Sequence, residues 1–254
     1  MARRLQASLP PPNLRVRDDD ERNAPKAGAF FADEKELLDP LVKRYVLGKK
    51  MEKGTAVDVA RLESDVVWAL ERGLGPRDLV PMLERLRRHA APGSGAACFA
   101  CIELAEQLLP TKPWRAAVLA REVLQHVETD RVWAVQGLAL AILGHYASAK
   151  AAFARALHLA PNCASYAHNL GHLTDVGLGR PRDALVWLER AHRLGGRDPE
   201  IASSYAHALL GVGRVEAARR ILIEAESLTP EEVDETLQRW AARSSRARRS
   251  ESLT

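Results

Sequence analysis

Residues 130–161, DRVWAVQGLALAILGHYASAKAAFARALHLAP, decide how this chain folds. The residues that set the pattern recur at helical spacing in two blocks, namely Trp133, Gly137 and Leu140, then Ala149, Phe153 and Ala156. Small residues at the contact positions let two antiparallel helices approach closely, and the aromatic side chains fill the space beside them. Pro161 lacks a backbone N–H and clashes with the preceding turn, so it ends the second helix. The stretch therefore predicts a closely packed pair of helices.

The same pattern returns twice further along the chain, with a period of about 34 residues. The second copy holds Leu170 and Gly171, then Ala184, Trp187 or Leu188, and Ala191, displaced by one inserted residue around Gly179, Arg180 and Pro181; the third holds Ala206, Ala218, Leu222, Ala225 and Pro230. Asp198, Pro199 and Glu200 form a helix-start signal, with an N-cap, a proline at the first position and an acid in the first turn. Three helix pairs in phase are thus predicted.

This pattern resembles the tetratricopeptide repeat family, W-x2-L-G-x2-Y, then A-x3-F, then P. The resemblance covers residues 130–230, and some positions depart from it. Gln136 replaces the leucine of the first copy, Thr174 replaces the tyrosine of the second, and the third lacks both tryptophan and glycine. Residues 96–129, with Ala116 near the expected alanine position, read either as a degenerate repeat or as an ordinary helical hairpin.

The resemblance implies an all-α fold, a right-handed superhelical array of antiparallel helix pairs with extra N-terminal helices and a C-terminal capping helix. A composition with only 5% aromatic residues and few β-branched runs agrees with this. The predicted organisation is a disordered segment over residues 1–30, a helical module over 31–90, a degenerate helix pair over 96–129, three repeats over 130–230, a capping helix over 231–249 and a frayed tail over 250–254.

Two flanking regions have their own signals. The N-terminal module is expected to hold helices over residues 33–46, 55–72 and 76–89, followed by a hinge at residues 91–95 that is rich in glycine and proline. At the other end, Val233, Leu237 and Trp240 lie at i, i+4 and i+7, which places an apolar stripe on one helix face. Such a stripe would cover the apolar face that the last repeat otherwise leaves in water.

The resemblance also implies a binding groove lined by the first helix of each repeat. The positions expected to face it are Arg131, Ala134, Leu138, Ala141, Ser165, His168, Asn169, His172, Asp175, Glu200, Ser203, His207 and Leu210. This groove would be apolar at one end and polar, histidine-bearing and weakly acidic at the other. An extended or helical peptide could place apolar side chains at the first end and a cationic or hydrogen-bonding group at the second.

One known subclass does not fit these positions. Chaperone-binding tetratricopeptide domains hold a C-terminal carboxylate with lysine, asparagine and arginine side chains. The corresponding places here are His168, Asn169, His172 and Ser204, which retain only a fragment of that clamp. A chaperone C-terminus is therefore not the expected ligand.

Two groups of residues suggest metal or redox chemistry, and both have a simpler interpretation. His168, His172 and His207 could converge on zinc beside Asp175, but no glutamate lies between the first two to act as a base, so we favour partner-facing or solvated histidines. The pair Cys98 and Cys101 lacks a second pair or a βαβ context, so we favour small residues on a packed helix face. No cofactor and no metal are predicted.

The predicted function is that of an adaptor or scaffold that binds a protein partner, and not that of an enzyme, because no phosphate-binding loop or nucleophile elbow is found. A narrower alternative is a dedicated chaperone or assembly factor for a secreted or complex-forming client. Another alternative is binding to nucleic acid or an acidic surface through Arg243, Arg246, Arg248 and Arg249, although no aromatic residue interleaves them. A small-molecule substrate is not expected.

The expected location is the cytoplasm. The chain holds three cysteines and shows no continuous apolar segment of the kind that forms a secretory signal. It also shows no run of about 18 apolar residues, so no membrane span is expected.

Overall fold

A computed structural model describes residues 57–196, 198–226 and 229–251, with side chains for all of these except 226 and 243–251. The predicted segment over residues 1–30, the predicted helix over 33–46 and the end of the predicted tail lie outside the described residues. The same is true of the side chains of the arginine-rich tail.

The described residues form eleven α-helices and one π-helical turn, and contain no strand. The helices are α1 Val59–Glu71, α2 Pro76–His89, α3 Gly95–Leu108, α4 Pro113–Leu124, α5 Asp130–Ile142, α6 Tyr146–Leu159, α7 Ala164–His172, α8 Pro181–Gly195, α9 Pro199–Gly211, α10 Val215–Glu226 and α11 Pro230–Glu251, and the π-helical turn is Leu173–Gly177. The predicted all-α fold class is confirmed.

The chain divides into two compact units, and the first one ends at Val127. In it, α1 packs on α2, α2 on α3 and α3 on α4. Asp58 caps α1 by accepting a hydrogen bond from the Arg61 backbone N–H at 3.1 Å. The predicted hinge at residues 91–95 lies inside this unit, in a short connection between two helices that pack against each other.

The second unit begins at Glu128 and holds the repeated helix pairs. Helices α5 and α6, α7 and α8, and α9 and α10 pack as pairs, and their first helices begin at residues 130, 164 and 199. These starts follow the period that the sequence predicts. The finer limits of functional domains remain predictions, since helix bounds alone do not test them.

Small residues sit where the paired helices touch. A Cβ atom on Gly137 would lie 3.0 Å from the Phe153 ring, and one on Gly171 would lie 2.6 Å from Leu188 Cγ. Phe153 and Leu188 are both completely buried. The close approach inferred from the sequence is therefore present in the first two pairs.

Helix α11 covers the last pair. Val233 and Leu237 are buried against the core of α9 and α10, and Trp240 packs partly buried against the same cluster. The helix begins with a capping box, because the Thr229 N–H donates to Glu232 Oε2 at 2.8 Å while Thr229 Oγ1 accepts from the Glu232 N–H at 3.3 Å.

This helix is longer than the sequence analysis predicted. It runs from Pro230 to Glu251, so residues 250 and 251 belong to it and not to a frayed tail. The reason is local, since neither glycine nor proline follows Pro230 to end the helix.

Candidate functional site

A cluster of polar side chains joins the first helices of the second and third pairs. Ser204 Oγ on α9 lies 2.8 Å from His168 Nε2 and 3.2 Å from His172 Nδ1, both on α7. His207 Nδ1 on α9 lies 2.6 Å from Asp175 Oδ2 in the π-helical turn. We call these five residues the histidine cluster.

Two histidines of the cluster are held neutral by their surroundings. Burial, reinforced by repulsion from His172, lowers the pKa of His168 to about 4. Burial also lowers the pKa of His172, against the opposing attraction of Asp175. The Ser204 hydroxyl has one hydrogen, so it donates to only one of two neutral rings and accepts an N–H from the other. The cluster therefore fixes complementary tautomers on the two rings.

The π-helical turn explains the insertion seen in the sequence. The repeat pattern predicts one extra residue around Gly179, Arg180 and Pro181. The connection between the π-helical turn and α8 is nevertheless no longer than the connections within the other two helix pairs. Each of the three has one glycine with a positive φ, at Gly144, Gly179 and Gly213. The extra residue is instead absorbed upstream, where the helix widens into the turn Leu173–Gly177. Such turns interrupt α-helices with one residue more per turn and are frequent at functional sites.

Contacts at the π-helical turn fix the position of Asp175. Thr174 Oγ1 donates to the Leu170 carbonyl at 2.7 Å, and the Leu178 N–H donates to the Leu173 carbonyl at 3.0 Å. Thr174, the departure from the tyrosine of the repeat pattern, is completely buried. The wider turn thus carries the Asp175 carboxylate to His207 on the next repeat.

The predicted groove residues differ widely in exposure. Seven are buried, namely His168, His172, Asp175, Ala134, Leu138, Ala141 and Asn169, and the last four have 1, 3, 5 and 2% of their surface exposed. Arg131, Ser165, Ser203, His207 and Leu210 are partly exposed, and Glu200 is exposed. The accessible part of the predicted groove is therefore mainly polar. That these residues bind a partner remains a prediction.

Two contacts that join this region were not predicted from the sequence. Trp240 of α11 meets the His207 ring edge-on, with ring centroids 5.5 Å apart. The Tyr166 hydroxyl donates to Asp130 Oδ2 at 3.0 Å and so ties α7 to α5. The sequence places these residues on helices but carries no signal that pairs them.

The histidine cluster is arranged for hydrogen bonding. The histidines that contact Ser204 are not the histidine that contacts Asp175, so the described residues form no serine–histidine–aspartate relay. Within the described ranges, no three histidine, cysteine, aspartate or glutamate side chains are placed to hold a metal ion.

The cysteine pair lies in the first unit. Cys101 is buried, and its thiol lies 3.8 Å from Glu122 Oε1. Burial raises the pKa of both the Cys98 and the Cys101 thiols, which is the opposite of what an activated thiol requires.

Comparison with solved structures shows a shared fold. A structure of MamA from Desulfovibrio magneticus RS-1 matches with a TM-score of 0.58 and 16% identity, over 72% of this chain and 98% of that one. MamA AMB-1 matches with a TM-score of 0.54 and 19% identity, over 67% of this chain and 98% of the other. MamA is a tetratricopeptide-like, all-helical protein, so the likeness supports the predicted fold class.

Sequence comparison gives no closer assignment. No protein-family model matches the chain, and the comparison with curated proteins found no match. Over the described part of the chain, none of the helices has both the length and the apolar character needed to cross a membrane.

Proposed function

We propose that this chain is a cytoplasmic adaptor that binds a segment of a protein partner along the first helices α5, α7 and α9. The observation that carries the proposal is the accessible polar face of α9, where Glu200 is exposed and Ser203 and His207 are partly exposed. These three residues lie at i, i+3 and i+7 on one helix face, so a single bound segment can contact all of them.

The side chains of α7 and α9 define the chemistry of that segment. His168 and His172 are neutral and already bonded to Ser204, and Asp175 is bonded to His207. The exposed Glu200 carboxylate in the first turn of α9 has no such internal partner among the described side chains. The preferred segment therefore offers N–H donors or a cationic side chain.

The apolar end of the predicted groove contributes little to the proposed contact surface. Leu138 and Ala141 leave almost no surface for a partner, whereas Ser203 and Leu210 on α9 are partly exposed. The proposed contact surface therefore centres on α7 and α9. A surface built by rigid helix stacking is preformed, which lowers the entropic cost of binding.

Ser203→Arg tests this proposal without disturbing the histidine cluster, since Ser203 is partly exposed and Ser204 makes the internal bonds. The matched control is Ser148→Arg, at an exposed position on α6. A partner that co-purifies with the wild type and the control, but not with Ser203→Arg, supports the proposal. Equal recovery with both variants contradicts it.

A further inference from the structure

Two ion pairs join helices α2 and α4 of the first unit, so their exposed positions can be considered as one face. Arg115 of α4 forms an ion pair with Glu84 of α2, and Arg87 Nη2 of α2 lies 2.9 Å from Glu122 Oε2 of α4. The outward stripe of α4 runs through Trp114, Val118, Arg121 and Gln125 at helical spacing, and that of α2 through Arg77, Pro81, Glu84 and Arg88.

The chain segments that hold α2 and α4 carry an excess of positive charge. Residues 76–90 and 112–126 contain the basic side chains Arg77, Arg85, Arg87, Arg88, Lys112, Arg115 and Arg121 against the acidic Asp78, Glu84 and Glu122. Their net charge of +4, with histidines neutral, equals that of the whole chain. The acidic side chains Glu84 and Glu122 already form ion pairs with Arg115 and Arg87, respectively.

Four cations on this face remain available. Arg77, Arg88, Lys112 and Arg121 are exposed, and their side chains make no hydrogen bond or ion pair with another residue in the described part of the chain. Unpaired cations around a common surface attract an anionic partner and speed its association.

Exposed apolar side chains lie on the same stripe of α4. Trp114 is 59% exposed and Val118 is 56% exposed, one helical turn apart. A tryptophan prefers a buried or interfacial position, since it carries a large apolar area with one polar atom. Tryptophan and arginine are also the residues most enriched among the energetic centres of protein interfaces.

We propose that the outward face of α2 and α4 is a second docking surface, for an acidic protein segment with apolar side chains. Trp114 and Val118 form the apolar centre, and Arg77, Arg88, Lys112 and Arg121 form the cationic rim. This surface is separate from the proposed partner site on α7 and α9.

Two other anionic partners fit the face less well. Single-stranded nucleic acid is usually held by several aromatic side chains that stack on successive bases. The stripe on α4 offers one aromatic residue beside an aliphatic one. Binding to a membrane surface requires a continuous apolar helix face. On α4 the apolar Trp114 and Val118 are followed one helical turn later by the charged Arg121.

The test uses the full chain and a fluorescein-labelled helical peptide of glutamate, leucine and alanine, with leucines one turn apart. Fluorescence anisotropy is expected to show binding that weakens as salt rises, and no binding of the same peptide with lysine in place of glutamate. Trp114→Ala should weaken binding about tenfold or more, as expected for a central aromatic residue. Arg121→Glu should weaken binding and flatten its salt dependence.

The matched control for Val118→Ala is Val186→Ala, because Val186 on α8 occupies the corresponding helix position and is 60% exposed. Val118→Ala should weaken peptide binding, while Val186→Ala and Ser203→Arg should leave it unchanged. The result with Ser203→Arg separates this surface from the proposed partner site. Circular dichroism on each variant verifies that it is folded.

Two outcomes overturn the proposal. One is that the folded wild-type chain does not bind the acidic peptide, or that the Trp114→Ala variant binds it as tightly as the wild type does. The other is that a single-stranded oligonucleotide, or vesicles containing phosphatidylserine, bind more tightly than the acidic peptide, and that Trp114→Ala abolishes this binding. That result would assign the face to nucleic acid or to a membrane surface.

Discussion

Asp175 and His207 connect two neighbouring repeats through one short contact, 2.6 Å from Oδ2 to Nδ1. Only 5% of the Asp175 side chain is exposed, against 30% of the His207 side chain. The same imidazole meets Trp240 of α11 edge-on. His207 thus links the π-helical turn, α9 and the capping helix.

Replacing His207 should loosen this connection. His207→Ala leaves the buried Asp175 carboxylate without its partner and removes the contact with Trp240, so we expect a loss of about 1–3 kcal/mol in the free energy of unfolding. Urea denaturation measures this change. His145→Ala, at an exposed position before α6, is the control and should be nearly neutral. Equal stability of both variants would show that the contact contributes nothing.

Stability should fall as the pH drops from about 6.5 towards 4. Both His168 and His172 have a folded-state pKa below the ordinary value, so the unfolded chain binds protons that the folded chain does not. The stabilisation is present above pH 6.5 and is lost on acidification, by about 3 kcal/mol at pH 4 for His168. Denaturation at several pH values measures it, and His168→Gln should flatten the profile. A profile that is flat in the wild type contradicts the burial of these neutral rings.

Gly171→Ala should destabilise the second helix pair. The added Cβ would meet Leu188 Cγ at 2.6 Å and the Leu188 backbone N at 3.1 Å, so the helices must separate. We expect a cost of about 1–3 kcal/mol, as for overpacking in a core. Gly95→Ala is the control, because nothing lies within 4 Å of its added Cβ. A thermal midpoint lowered equally by both changes would point to backbone effects and not to helix spacing.

Trp240→Ala tests the role of α11 as a capping helix. Trp240 is partly buried against the cluster that contains Val233 and Leu237. A fully buried tryptophan would be worth about 3–5 kcal/mol. Because Trp240 keeps part of its surface in water, we expect about 1–3 kcal/mol, measured by thermal or urea denaturation. Glu235→Ala, an exposed position on the same helix, should change stability little. An unchanged midpoint for Trp240→Ala would contradict the capping role.

The helix pairs were predictable because their signals are local. Gly137, Phe153 and Pro161 each act on a neighbouring turn or helix, and their spacing alone fixes two packed helices. The position of the inserted residue was not predictable in the same way. A gap between Gly171 and Ala184 fits either a longer loop or a wider helical turn, and packing against the next helix decides between them.

The candidate site was predictable in residue type but not in exposure. The repeat pattern places Leu138 and His168 on the first helices, but burial depends on how closely neighbouring helices approach, which the pattern does not specify. The same limit applies to Trp114. A tryptophan in an amphipathic helix is usually assigned to the core, and only the packed structure places it in solvent.

The central claim is that a protein partner binds along α7 and α9, and site-specific photo-cross-linking tests it most directly. The photoreactive residue p-benzoylphenylalanine is introduced in place of Ser203, and in place of Ser148 as the control, and the protein is irradiated in its native cells. The account predicts one discrete cross-linked protein from position 203 and none from position 148. A cross-link from position 148 alone, or the same products from both positions, would contradict it.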